Sequence, residues 1–122
     1  MLLDSNIIVA FFNEKDTLNN KASIVLQAID KWIIPQQILF EAITVLELRT
    51  DKGLAKRALL TLISDEKVEV IEAHQDDIEK CYHLFLNQKG SLTLYDMLLF
   101  AVSKSEEIPF LSFDKKLNAF KP

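Results

Sequence analysis

Residues that build loops and covalent frameworks are nearly missing from this sequence: two glycines, three prolines and one cysteine among 122 residues. A lone cysteine, Cys81, excludes an internal disulfide, and its place in a helical pattern reads as a buried thiol. So little glycine and proline excludes a linker or a low-complexity segment. There is no glycine-rich phosphate loop and no zinc-ligand spacing. Positive charge is not in excess either, since 14 Lys and Arg stand against 18 Asp and Glu and leave a net −4 at pH 7. That balance argues against a protein that grips nucleic acid with a general cationic surface, so any action on RNA needs local cations or metal ions. No apolar run approaches the ~20 residues of a membrane span. The opening residues Met1 to Asn6 lack the basic and apolar regions of a signal peptide. The expectation is a cytoplasmic protein with no membrane segment.

What the chain does have is 49% hydrophobic residues, enough for one real core, and residues 1–122 read as a single domain. Met1-Leu2-Leu3 is a buried strand, Asp4-Ser5-Asn6 a polar break, and Ile7 to Phe12 the start of a helix. Leu18 to Ile29 has helical spacing, and Trp32-Ile33-Ile34 reads as a second strand closed by Pro35. Gln36 to Arg49 is helical, with Pro35 suited to its first turn. Gly53 interrupts, and Leu54 to Ile63 forms another helix with Lys56 and Arg57 outward. Lys67 to Glu72 alternates charged and apolar residues as a half-exposed strand does. Asp76 to Gln88 is helical, with Asp76 or Asp77 as the expected N-cap. From Leu94 to Val102 every residue except Asp96 is apolar, the mark of a buried helix. Pro109 stops its continuation, Phe110 to Phe113 reads as a last strand, and Lys115 to Phe120 allows a terminal helical turn. Strands alternating with helices imply an α/β fold on a parallel sheet.

In such a sheet, ligands bind at the carboxyl ends of the strands. Asp4 follows the first strand and Asp114 the last. Glu41 lies in the helix after the second strand, and Asp96 opens the buried helix. Each has a structural alternative: Asp4 as a helix cap, Asp96 as partner of Thr93 in a capping box, Asp114 as a cap or surface ion pair, and Glu41 as a solvent-reaching acid. Glu47, six positions beyond Glu41, points to a different face of the helix. Independent caps have no reason to fall at one sheet edge, and clustered carboxylates repel unless a cation neutralises them. Oxygen-only ligands suit Mg²⁺ or Mn²⁺ rather than Zn²⁺. Such ions lower the pKa of water and stabilise phosphoryl oxygens, which is nuclease chemistry.

Leu3-Asp4-Ser5-Asn6-Ile7, Glu41 in its helix, Leu94-Tyr95-Asp96 and Leu111-Ser112-Phe113-Asp114 together resemble the PIN-domain pattern. In order and spacing they are similar to the short VapC-type toxins of toxin–antitoxin pairs, over essentially the whole chain. The resemblance implies a three-layer α/β/α domain with a central parallel sheet of four to five strands. It implies a Mg²⁺- or Mn²⁺-dependent endoribonuclease with Asp4, Glu41, Asp96 and Asp114 as catalytic and metal-binding acids, Asp4 and Asp96 being the principal ligands. Asn6 and Ser112 would support them by hydrogen bonding. It further implies an RNA substrate, a homodimer and a cognate antitoxin protein. The family commonly adds a short strand after the last acid, whereas here only Lys115 to Pro122 follow, so four or five strands both remain open. The alternative function is a catalytically weak PIN-like module that holds a partner.

Lys115 and Lys116, beside Asp114, are candidate RNA contacts. Arg49, Lys52, Lys56 and Arg57 form a second basic patch, read first as a solvated face. His74 and His83 have no third ligand at metal-binding spacing and read as surface or packing residues. A receiver-type phosphoacceptor domain needs an acid pair after the first strand, which Asp4-Ser5-Asn6 does not supply.

Overall fold

Strand β1 (Leu2–Leu3) is completely buried and sits inside the sheet. The computed structural model describes residues 1–122. β1 pairs in parallel with β2 (Trp32–Pro35) on one side and with β4 (Phe110–Leu111) on the other. β3 (Val68–Ile71) lies outside β2, giving four parallel strands in the order β3-β2-β1-β4. Inner parallel strands are covered on both faces and read as unbroken apolar runs, whereas an edge strand tolerates polar residues. Leu2-Leu3 and Val68-Glu69-Val70-Ile71 differ in that way. No fifth strand follows β4.

Seven helices complete the chain: α1 (Ser5–Phe12), α2 (Asn19–Gln27), α3 (Gln36–Arg49), α4 (Lys52–Ser64), α5 (Gln75–Asn87), α6 (Leu94–Glu106) and α7 (Lys115–Asn118). Several begin earlier than apolar periodicity indicates, because polar side chains start them. Asp4 accepts from the Ser5 N–H, so α1 starts two residues before Ile7. Asp51 accepts from the Leu54 N–H, which places Gly53 inside the first turn of α4 rather than at a break. Pro35 ends β2 and occupies the cap position of α3, one place before its first turn. The cap position of α5 is His74, not Asp76 or Asp77. Those acids lie in its first turn, where they complement the helix dipole. At the other end of α1, the Asn19 side chain donates to the carbonyls of Ala10 and Phe11 and turns the chain into α2.

Met97 to Val102 are buried without interruption in α6, as expected of a helix apolar on all sides. They join β1, β2, α1 and α3 in one hydrophobic cluster of 25 residues. Helix α6 ends at Glu107 in the left-handed conformation (φ 55°), the bend that glycine usually supplies. Cys81 is buried in that cluster and donates to the Leu94 carbonyl, tying α5 to the start of α6. No helix is long and apolar enough to cross a membrane.

Topology decides where a site can form. From β1 the chain crosses to β2 and then to β3 in one direction, while from β3 it returns across the sheet to β4 on the far side of β1. Right-handed crossovers put connections of opposite direction on opposite faces of the sheet. The topological switch point, where a crevice is expected at the carboxyl ends of the strands, therefore lies between β1 and β4.

Candidate active site

Asp4 and Asp114 follow the two strands that flank this point. The register pairs Leu2 with Phe110 and Leu3 with Leu111, so the next residues, Asp4 and Ser112, are neighbours. The Asp4 N–H continues the ladder to the Leu111 carbonyl at 3.0 Å. Asp4 is only 3% exposed and both carboxylate oxygens are engaged. Oδ1 accepts from the Ser5 N–H at 2.7 Å, and Oδ2 accepts from the Ser112 hydroxyl at 2.6 Å. Ser112 in turn accepts from the Asn6 amide at 3.1 Å and from the Asp114 N–H at 3.0 Å. Asn6 Oδ1 accepts from the Phe113 N–H. The two supporting residues thus stitch the exits of β1 and β4 together.

The other acids arrive from helix starts. Thr93 and Asp96 form a reciprocal capping box: Asp96 Oδ2 accepts from the Thr93 N–H at 2.8 Å, and Thr93 Oγ1 accepts from the Asp96 N–H at 3.1 Å. Asp114 Oδ1 caps α7 by accepting from the N–H groups of Lys116 and Leu117. Capping and membership of a site are therefore not rival roles here. A cap holds a carboxylate at a helix start, and the fold brings three such starts to one edge. Glu41 reaches the same region from within α3, and its Oε1 is buried without a hydrogen-bond partner. Glu47 is on another face, exposed and 3.5 Å from Lys52.

Charge couples these groups. Burial raises the pKa of Asp4 most; the Ser112 hydrogen bond opposes it, and the charges of Asp96 and Asp114 add to it. Asp96 is raised chiefly by burial, against its bonds to Thr93, with a further contribution from Asp114. Glu41 is pushed up to about 7, mainly by burial, with the Ser5 side chain pulling the other way and Asp4 and Asp96 adding repulsion. Asp4 thus feels the charges of Asp96 and Asp114, Asp96 that of Asp114, and Glu41 those of Asp4 and Asp96. The four acids are not a preassembled chelate, since no three His, Cys, Asp or Glu groups converge as a ligand set. The reason lies in the caps: Asp4, Asp96 and Asp114 each turn oxygen toward local N–H or O–H donors. Among the oxygens of these four acids, Glu41 Oε1 is the one that is buried without a donor. An orphaned buried carboxylate oxygen, with only oxygen donors around it, fits a hard divalent cation.

Lys115 and Lys116 are exposed beside Asp114, and the Lys116 ammonium donates to Ser91 Oγ at 3.1 Å. Arg49 and Arg57 gather elsewhere, around Phe12 and Asn13 at the far end of α1. Eight helical residues separate that end from Asp4, roughly 12 Å of rise, so the patch is not part of the acidic site. His74 pairs with Glu106 at 3.3 Å and His83 is exposed, so neither joins the site. Ser5 is the residue that spacing did not single out. Its backbone holds Asp4 and its side chain moderates Glu41, a role with no signature beyond adjacency to Asp4.

A parallel α/β sheet with acids gathered at its switch point defines the class, and the comparisons narrow it. The chain belongs to the PIN domain family, whose model matches residues 1–121. No curated protein matches it. Among solved structures it is similar to VapC20 of Mycobacterium tuberculosis, described as a sarcin–ricin loop cleaving toxin. That match has a TM-score of 0.89 and 19% identity, over 97% of this chain and 92% of that one. A toxin–antitoxin complex from Klebsiella pneumoniae matches at TM-score 0.71 and 21% identity, over 99% and 92%. VapBC2 from Rickettsia felis, bound to a fragment of promoter DNA, matches at 0.71 and 15%, over 96% and 89%. At these identities the likeness establishes the PIN fold.

Proposed function

We propose that this protein is a Mg²⁺- or Mn²⁺-dependent endoribonuclease and the toxin of a type II toxin–antitoxin pair. The observation that supports the reading is the raised proton affinity of Asp4, Glu41 and Asp96, three acids from separate segments whose burial is reinforced by one another's charge or by that of Asp114. The toxin–antitoxin character of the similar structures supports it. When bound between these acids, the metal supplies a lowered water pKa and charge stabilisation at the phosphoryl oxygens. The chain's own part is positioning. Ser5, Asn6 and Ser112 hold Asp4 rigid, and Thr93 and the α7 amides hold Asp96 and Asp114. Glu41, pushed up to about 7, is poised to give up its proton at neutral pH to a nearby positive charge. Lys115 and Lys116 offset the charge of the RNA strand. In this reading residues 1–122 act as one domain in the cytoplasm. An antitoxin and a second copy of the chain would cover apolar side chains now exposed, among them Phe40, Leu60 and Ile63.

The test is cleavage of a mixed small-RNA substrate by the wild type and by Asp96→Asn, in Mn²⁺ and in EDTA. Asparagine keeps the acceptor that receives the Thr93 N–H and loses the charge. Cleavage should need metal and fall more than about 100-fold in the variant, with the fold intact by circular dichroism. Cleavage that persists in EDTA or in the variant overturns the proposal. The capped carboxylates favour one second reading, a partner-holding module. It requires Mn²⁺ to stabilise the wild type while no RNA is cut.

A further inference from the structure

A groove of about 600 Å³ runs between the α5–α6 connection and the C-terminal residues, within the size range of ligand sites. Acids outnumber bases over the chain, yet its 12 lining residues include Lys89, Lys116 and Lys121 and no acidic side chain. None of these lysines takes part in an ion pair. The one hydrogen-bond partner of these ammonium groups is the neutral Ser91 hydroxyl, bonded to Lys116. The groove wall is braced: Gln88 bonds both the N–H and the carbonyl of Leu92. Phe120 is held edge-on to Phe100 at 4.9 Å.

The groove adjoins Asp114 through Lys116. The Lys116 N–H donates to Asp114 Oδ1 at 2.8 Å while its ammonium reaches into the groove to Ser91. Ser91 lies two residues before Thr93, whose N–H holds Asp96. We infer that this groove binds the RNA strand on one flank of the scissile bond, with Lys89, Lys116 and Lys121 on the phosphates and Phe120 against a base. The inference rests on the nuclease reading for its substrate class. Lysines along a groove with a fixed aromatic ring are what single-strand binding needs. They also resolve how a chain of net charge −4 holds a polyanion.

The experiment measures binding of a fluorescein-labelled 12-nucleotide single-stranded RNA by anisotropy, in EDTA so that nothing is cut, from 0.05 to 0.5 M salt. The wild type is compared with Lys89→Ala/Lys121→Ala and with the charge-matched Lys56→Ala/Arg57→Ala on α4. Losing two phosphate contacts should flatten the slope of log K against log salt by about 1.4, or about 25-fold in affinity at 0.1 M relative to 1 M. The α4 variant should keep the wild-type slope. Equal slopes for all three proteins, equal loss in both variants, or no RNA binding by the wild type each overturn the inference. So does weaker capture of a protein partner by the groove variant with RNA binding unchanged. Failure of the nuclease reading looks different: the groove variant still loses RNA affinity, while the wild type cuts no RNA in Mn²⁺.

Discussion

Replacing Glu41 by glutamine keeps the shape of the side chain and removes the charge that the crevice tolerates least. The carboxyl group rises from 4.5 to about 7 because it is desolvated and faces Asp4 and Asp96. For an acid raised in this way the native state binds the proton more tightly than the unfolded chain does. Stability is therefore lost as pH climbs from about 4.5 through about 7, and the loss is complete above that. At about 1.36 kcal/mol per pH unit the full shift would correspond to roughly 3 kcal/mol. Solvent screening at a half-buried group reduces this to about 1–2 kcal/mol. Glu41→Gln should thus match the wild type near pH 4 and exceed it at pH 8, by about 4–8 °C in Tm for a domain of this size. Thermal unfolding in EDTA at a series of pH values reads this directly. RNA cleavage should disappear in the same variant. A stability difference that does not vary with pH, or a variant less stable at pH 8, would refute the reasoning from burial and repulsion.

Two further outcomes follow from the same geometry. Ser112→Ala removes a hydroxyl that serves Asp4, Asn6 and the Asp114 N–H at once; urea unfolding should show a loss of about 1–3 kcal/mol. Because that hydroxyl lowers the Asp4 pKa, the acid limb of the cleavage pH profile should also move upward in the variant. Mn²⁺ at 100 times its dissociation constant should stabilise the wild type by about 2.7 kcal/mol. Differential scanning fluorimetry should register that as a rise of about 10 °C in the wild type and little in Asp96→Asn.

Much of the architecture could be read along the chain because it follows from local composition. The apolar run around Asp96 is long and lacks a polar face, and it is buried from Met97 to Val102, while Leu94 and Tyr95 in the first turn of α6 stay exposed. Met1 to Leu3, Trp32 to Ile34 and Phe110 to Phe113 are short, mostly apolar runs and each contains a strand, the last one ending at Leu111, before the Ser112 side chain turns to Asp4. Boundaries were less legible: Asp4 and Asp51 start their helices before the apolar pattern does, and His74 rather than Asp76 or Asp77 precedes α5. A capping hydrogen bond depends on one side-chain conformation, and periodicity carries no trace of it.

By itself, then, the sequence determined which residues are apolar enough to be core, where strands give way to helices, and that acids stand at three helix starts with a fourth, Glu41, inside a helix. Only the tertiary structure decided which of these acids are buried and which feel one another's charge. Ser112 meets Asp4 across 108 residues of chain, and that contact exists because β1 and β4 are neighbours in register. The proton affinity of Glu41 depends on burial by other segments and on charges from α6 and the β1 exit, which no window around residue 41 contains. The lysine groove is assembled likewise, from residues 83–92 and 116–122. Local pattern is set by side chains a few positions apart. Desolvation and Coulomb energy are set by distance in space, and the crossover at β4 is what makes those distances short.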